Sequence, residues 1–199
     1  GNDATGGSIQ ITDSQGTGNQ SIPQSINTAP SNPALSGFAS QMGQTLDSAG
    51  ITDQFEKLSA LADLIQSLPY KANQGGNPPL QTLYNNWGDC SDRTYAYMAI
   101  ANCDPFNTRT ATIACEVKIY GLHMVVGIDE RDLGEPPDDM NIYFLEPGDG
   151  KYATEAEKSC FPDTRYAFLE LTNRLPIGRF SENTYEIHML GDTSNLDCS

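Results

Sequence analysis

The sequence predicts an α+β domain in which N-terminal helices pack on an antiparallel β-sheet. Three observations carry this. Apolar residues at helical spacing lie in the first half of the chain. Alternating or continuous apolar runs of strand length fill the second half. At 199 residues, 38% of them hydrophobic, the chain is long enough for one real core. Helices followed by a run of strands is the order of a segregated α+β domain, not of alternating βαβ units.

Residues 1–33 read as a polar tail or linker, with residues 34–199 as the folded domain. The tail is rich in Gly, Ser, Asn, Gln, Thr and Pro, its only charges are Asp3 and Asp13, and the first basic residue of the chain is Lys57. Such a stretch buries too little apolar surface to offset its ordering entropy. A short helix is predicted over Pro33–Ala49. A second is set by Asp53 and Glu56 at N-cap and N3 spacing. Phe55, Leu58, Leu61, Ile65 and Leu68 continue it at helical spacing, and Pro69 ends it. Lys71–Pro79 is a loop of Gly, Asn and Pro. Residues 90–102, CSDRTYAYMAIAN, form a third helix with Ala, Tyr, Met and Ile on its buried side.

The rest is β-rich. Residues 111–119 alternate, with Ile113, Cys115, Val117 and Ile119 on one face. His123–Ile128 is nearly all apolar, as in a central strand. Asn141–Glu146, Tyr166–Leu171 and Thr184–Met189 are further strands.

Charge narrows the function. Against 26 Asp+Glu stand 11 Lys+Arg, a formal net charge of -15. Nucleic acid and anionic membrane surfaces would be repelled, because phosphate binding needs a basic stripe. No apolar run approaches the ~20 residues of a membrane span. The polar N-terminal spacer is of the kind that follows a lipid anchor or a signal sequence, so an extracellular, secreted or surface-tethered chain is expected.

The five cysteines, Cys90, Cys103, Cys115, Cys160 and Cys198, include no C-x-x-C pair, and His123 and His188 are the only histidines. A structural zinc site is not expected. In an exported chain, two disulfides and one thiol are expected: Cys103 with Cys115, Cys160 with Cys198, and Cys90 left over. The contrary reading is five reduced cysteines in a cytosolic protein.

Cys90 follows Gly88-Asp89 and opens a helix, where unpaired amides and the macrodipole favour an anion. A thiolate nucleophile needs a base, and the base an orienting acid. His123 begins a strand, and its side chain is expected to face a helix packed on the sheet. His188 reads as structural. The acid could come from IYFLEP, with Glu146, or from YAFLELT, with Glu170. In each, the Glu shares a strand face with aromatics, and an unpaired carboxylate there would be costly.

The context of these residues is more specific. LIQSLPYKANQGGNPPLQTLYNNWGDCSD over 64–92, HMVVG from His123, and YAFLELTNRLPIG with Glu170, Thr172, Ile177 and Gly178 together resemble the transglutaminase-like superfamily. The resemblance is to its microbial cysteine-peptidase type and spans about Phe55 to Arg179. It implies a transglutaminase-like, papain-like cysteine-protease fold. It further implies a thiol hydrolase that cleaves amide bonds in peptide or protein through a thioester. In this reading Cys90 is the nucleophile, His123 the general base and Glu170 the third member. Glu146, followed by Pro147, is the alternative to Glu170. Glu stands where Asp is commoner. Protein-glutamine acyl transfer to an amine is the rival chemistry, and a non-catalytic cell-surface binding module the rival class.

Asp89 and Asp92 are supporting residues, Asp92 as a cap of first-turn amides. The amide of Cys90 is one oxyanion donor, and Gln66, Tyr70, Gln81 or Trp87 a second. Trp87 reads equally as a hydrophobic anchor. No glycine-rich phosphate loop follows a strand, so no organic cofactor is expected. The acidic run Asp129–Asp139 (DERDLGEPPDD) offers oxygen ligands to calcium but lacks EF-hand spacing. A solvated acidic loop beside the site is the preferred reading of it.

Overall fold

The computed structural model describes residues 26, 28–72, 76–117, 121–146, 151–152, 165–179 and 184–192, the backbone alone for 151–152 and 184–192. Four α-helices precede the strands: α1 Pro33–Ser48, α2 Gln54–Ser67, α3 Pro79–Asn85 and α4 Cys90–Ala101. Then come β1 Thr110–Val117, β2 Gly121–Asp129, β3 Phe144–Leu145, β4 Lys151–Tyr152, β5 Tyr166–Leu169 and β6 Thr184–Asp192. The sheet order is β3-β5-β2-β1-β6-β4. All neighbours are antiparallel except the two-residue edge pair of β4 with β6, which is parallel. The α+β class with helices on a mainly antiparallel sheet is therefore what the chain adopts.

Local chemistry sets the helix starts. Asn32 caps α1, its side chain accepting from Ala34 N and Leu35 N, with Pro33 at the first position. Asp53 caps α2 through Phe55 N and Glu56 N. The short α3 begins at Pro79, where the expected loop Lys71–Pro79 ends. Pro79 presets its first turn, and Asn86 ends it in the left-handed conformation at φ 57°. Strands Asn141–Glu146 and Tyr166–Leu171 are shorter than their apolar patterns suggest, since β3 and β5 end where the chain turns away.

Helix α4 is the centre of the domain. Ala96, Tyr97, Met98, Ala99, Ile100 and Ala101 are all buried, so the helix is enclosed on more than the one side its sequence suggests. It packs with Phe55, Leu58, Leu61 and Ile65 of α2, Leu35 and Ala39 of α1, and Val126, Ile128, Ala167 and Leu169 of the sheet. A second cluster holds Ala111, Ile113, Cys115 and Val117 with Val125, Leu145, Tyr166 and Phe168. The alternation of β1 thus has one apolar face, as its sequence predicts; Ile119 lies outside the described residues. Strands β2 and β5 contribute to both clusters, so both of their faces are covered.

The packed chain reaches back into the segment expected to be a tail. Ile26 and Ala29 are fully buried, and Asn102 Nδ2 donates to Ile26 O. The expected Cys103–Cys115 bridge is not formed. The two thiols belong to different apolar clusters: Cys103 packs among the helices, its Sγ–H on Ala99 O at 3.2 Å, and Cys115 lies in the second cluster. Burial pushes the Cys103 thiol up to about 11. Cys160 and Cys198 lie outside the described residues, and the side chain of His188 is not described.

Candidate active site

The site forms where the first turn of α4 meets β2 and the chain leaving β5. Asp89 is the N-cap of α4. Its carboxylate accepts from Asp92 N at 3.0 Å, and Asp92 reciprocates by accepting from Asp89 N at 3.3 Å. This capping box satisfies two first-turn donors at once. Asp92 also accepts from Asn77 N and, at 3.1 Å, from Asn77 Nδ2. Loop residue Asn77 is thereby tied to the helix start, and Asp92 is fully buried. Ser91 Oγ donates to Asp89 at 2.7 Å. Both aspartates therefore hold the turn that carries Cys90.

Gly88 completes that turn. A Cβ there would sit 2.7 Å from Asp92 Cβ and 3.1 Å from Thr82 Cγ2. Gly88→Ala should therefore push α3 and the capping box apart. The expected cost is about 1–3 kcal/mol, read by urea denaturation, together with a slower alkylation of Cys90.

Cys90 is partly buried at the first position of α4. Its amide is one of the helix-start donors that have no partner within the helix. Its thiol is near enough to the His123 imidazole to raise the pKa of that ring. His123 lies near the start of β2, opposite Cys115 of β1. Thr94 Oγ1 donates to Met124 O at 3.4 Å, which ties α4 to this strand beside the imidazole.

His123 Nε2 is 2.7 Å from Glu170 Oε2, which leaves Nδ1 for the sulfur. Burial pulls the imidazole pKa down. Hydrogen bonds and negative charge from Cys90 and Glu170 outweigh that and raise it to about 10. Glu170 is 5% exposed. Burial would raise its pKa, but His123 and two hydrogen bonds from Thr172 hold it below the ordinary carboxylate value. Those bonds run to Oε1 from Thr172 N at 2.7 Å and from Thr172 Oγ1 at 2.6 Å. Each carboxylate oxygen therefore has a fixed task.

Glu146 is elsewhere. It faces Arg165 at 3.6 Å with its side chain 53% exposed. The sheet order explains the difference. Strand β5 pairs directly with β2, Leu169 opposite Val126, so the residues just after β5 run alongside His123. Strand β3, which Glu146 follows, is one strand farther out.

Gln66 is not available as an oxyanion donor. Its Nε2 donates to Glu170 O at 2.7 Å and to Leu175 O at 2.8 Å, so both amide hydrogens are used. It anchors the chain that carries Glu170. Gln81 is exposed on α3, where its Nε2 donates to Asn85 Oδ1 at 2.8 Å. Tyr70 stays near enough to the thiol to feel its charge. Tyr70 bridges to Gly88, and burial together with the charge of Cys90 raises its pKa. Trp87 is half-buried, with Lys71 Nζ 4.4 Å from its ring centroid.

The acidic run is only partly solvated. Asp129 is buried and accepts from Arg131 Nε at 2.9 Å. Arg109 Nε meets Asp132 at 2.7 Å, and Arg165 Nε meets Glu130 at 2.7 Å. The first three carboxylates of the run are thus engaged by guanidinium groups rather than gathered into an oxygen cage. Glu135, Asp138 and Asp139 are exposed.

Sequence reasoning missed two contributors, Asn77 and Arg93. For Arg93 there was a signal: it is the lone basic residue in a helix otherwise apolar enough to be enclosed.

No protein-family model and no curated protein sequence matches the chain. Among solved structures, it is similar to Legionella pneumophila LapG in three forms. The EGTA-treated form has 14% identity and a TM-score of 0.40, covering 83% of this chain and 78% of that one. The calcium-bound form has 15% identity and a TM-score of 0.40, covering 83% and 81%. A third LapG structure has 13% identity and a TM-score of 0.38, covering 84% and 88%. Among the described residues, no helix is long and apolar enough to cross a membrane.

Proposed function

We propose that this chain is a thiol hydrolase of transglutaminase-like type that cleaves amide bonds in peptides or proteins. The observation that carries the reading is the His123 imidazole bonded to a Glu170 carboxylate that Thr172 braces, with the Cys90 thiol acting on the same ring. A thiol at a helix start, a base bonded to it and an acid orienting the base are the parts nucleophilic catalysis needs. The sequence blocks GDCSD, HMVVG and YAFLELTNRLPIG independently support the same three residues.

Cys90 Sγ, as thiolate, attacks the substrate carbonyl carbon, and a carbon–sulfur bond forms. The Cys90 amide at the start of α4 donates to the oxyanion. The tetrahedral adduct collapses by breaking the carbon–nitrogen bond, and His123 Nδ1–H gives its proton to the departing amine. Neutral His123 then takes a proton from water as the water oxygen attacks the thioester. The carboxylic acid leaves and the thiolate returns. Glu170 holds Nε2–H throughout, so Nδ1 stays aimed at the sulfur.

The test is intact-mass measurement after mixing the protein with a panel of peptide amides and esters. A covalent acyl adduct on Cys90, released by hydroxylamine, supports the reading. No adduct with any acyl donor, from protein whose Cys90 is reduced, would sink it.

A finer prediction concerns Thr172. Thr172→Val keeps the shape and the backbone bond but removes the hydroxyl donor to Glu170. The kcat/KM should fall on the order of tenfold, and Thr172→Ser should restore most of it. Steady-state kinetics on the three proteins checks this.

A further inference from the structure

Arg93 lies one turn after Cys90 on the same side of α4. It is 2% exposed. A buried guanidinium without a carboxylate partner is costly, so a chain tolerates one only where something offsets the desolvation. Here Nη1 donates to Leu171 O at 2.7 Å, and Nη2 donates to Leu68 O. The guanidinium carbon lies 5.5 Å from the centroid of the Tyr70 ring. Nε is buried with no hydrogen-bond partner.

These contacts join three segments around the site. Leu68 caps α2 ahead of Tyr70, Leu171 follows Glu170, and Arg93 itself follows Cys90. Gln66 holds the carbonyl of Glu170, and Arg93 holds the next one. The chain has left the sheet at this point, and its two carbonyls are held by long side chains from two helices. The charged or titratable groups that act on the guanidinium are Tyr70, Glu170, Asp89 and Cys90. Burial lowers its pKa, and the surrounding negative groups oppose that.

We propose that Arg93 is a positioning residue of this site. Its guanidinium clamps the Glu170–Leu171 segment to the first turn of α4 and presents a fixed positive charge to the Glu170 carboxylate. This rests on the hydrolase reading above and adds to it a buried cation behind the orienting acid. Arg93 does not touch the reacting atoms. It acts through Glu170.

The experiment is the rate of Cys90 alkylation by iodoacetamide against pH, located by peptide mass spectrometry. It compares the full chain with Arg93→Met, Arg93→Gln and Arg93→Lys, each checked for folding by circular dichroism. The acid inflection of that rate belongs to the coupled Cys90–His123–Glu170 group. Without the buried charge, Glu170 takes up its proton at higher pH and the inflection rises by about one unit. Alkylation on the acid limb therefore falls about tenfold in Arg93→Met, with the alkaline plateau nearly unchanged. Arg93→Lys keeps the charge and the inflection. Arg93→Gln is compared in place of Arg93→Met if the latter fails to fold. An unmoved inflection in the neutral variants, an equal loss at every pH, or a lysine variant that behaves like methionine would each overturn the proposal. Failure of the hydrolase reading looks different: the wild-type profile itself would match that of His123→Ala.

Discussion

Cys90→Ala should abolish hydrolysis, and His123→Ala should slow it by at least about 10⁴-fold. Residues that act as one unit lose nearly the whole catalytic contribution when either is removed. The physical reason lies in the bonding of the imidazole. His123 is committed to this site, because Nε2 is held by Glu170 at 2.7 Å and the Cys90 thiol acts on the same ring. Removing it takes the base from the thiol and the acid from the leaving amine in one step. Alkylation of Cys90 separates this from a loss of folding. In His123→Ala, a folded protein should react more slowly at neutral pH and recover at alkaline pH, where hydroxide deprotonates the thiol. Equal alkylation of wild type and mutant at every pH would show that the two side chains are not coupled.

How much of this was legible in the sequence can be traced residue by residue. The helix of residues 90–102 was readable from its Ala, Tyr, Met and Ile residues, and α4 ends one residue earlier, at Ala101. The alternation of β1 marked its buried face. The seven-residue α3 gave no periodicity to read. Glu170 was favoured over Glu146 only by the longer block around it, YAFLELTNRLPIG, since each follows aromatics on a short strand. What separates them is sheet order, β3-β5-β2, which no local pattern contains. Gln66 was one of four candidates for the second oxyanion donor. Its real partners are carbonyls about a hundred residues away, at Glu170 and Leu175, left without ladder partners where β5 ends. The expected Cys103–Cys115 bridge came from sequence proximity alone. Proximity does not say that a helix end and a strand will place their sulfurs in separate clusters.

Glu170→Gln should lower kcat/KM by about 10³–10⁴, as loss of the orienting acid does in a comparable triad, whereas Glu146→Gln should stay within about twofold, as expected of a surface change. The amide keeps the volume but removes the charge, and it offers Nε2 either a carbonyl or an NH₂. The alkaline limb of kcat/KM gives a second, independent readout, because it reports the free enzyme's acid. On the proposed reading that acid is the His123 imidazolium, with a pKa of about 10. The Glu170 hydrogen bond and charge are two of the influences that raise it, so the limb must move to lower pH in Glu170→Gln. Stability follows the same signs. A raised folded-state pKa stabilises fully below the unfolded value of 6.5 and is lost as pH climbs through about 10. The lowered pKa of Glu170 stabilises above its unfolded value of 4.5 and is lost as pH falls. The pair therefore contributes most between 4.5 and 6.5. The difference in Tm between wild type and Glu170→Gln should be largest there and shrink toward pH 10. A difference that is flat across that range would mean that Glu170 and His123 do not meet as an ion pair in the folded protein.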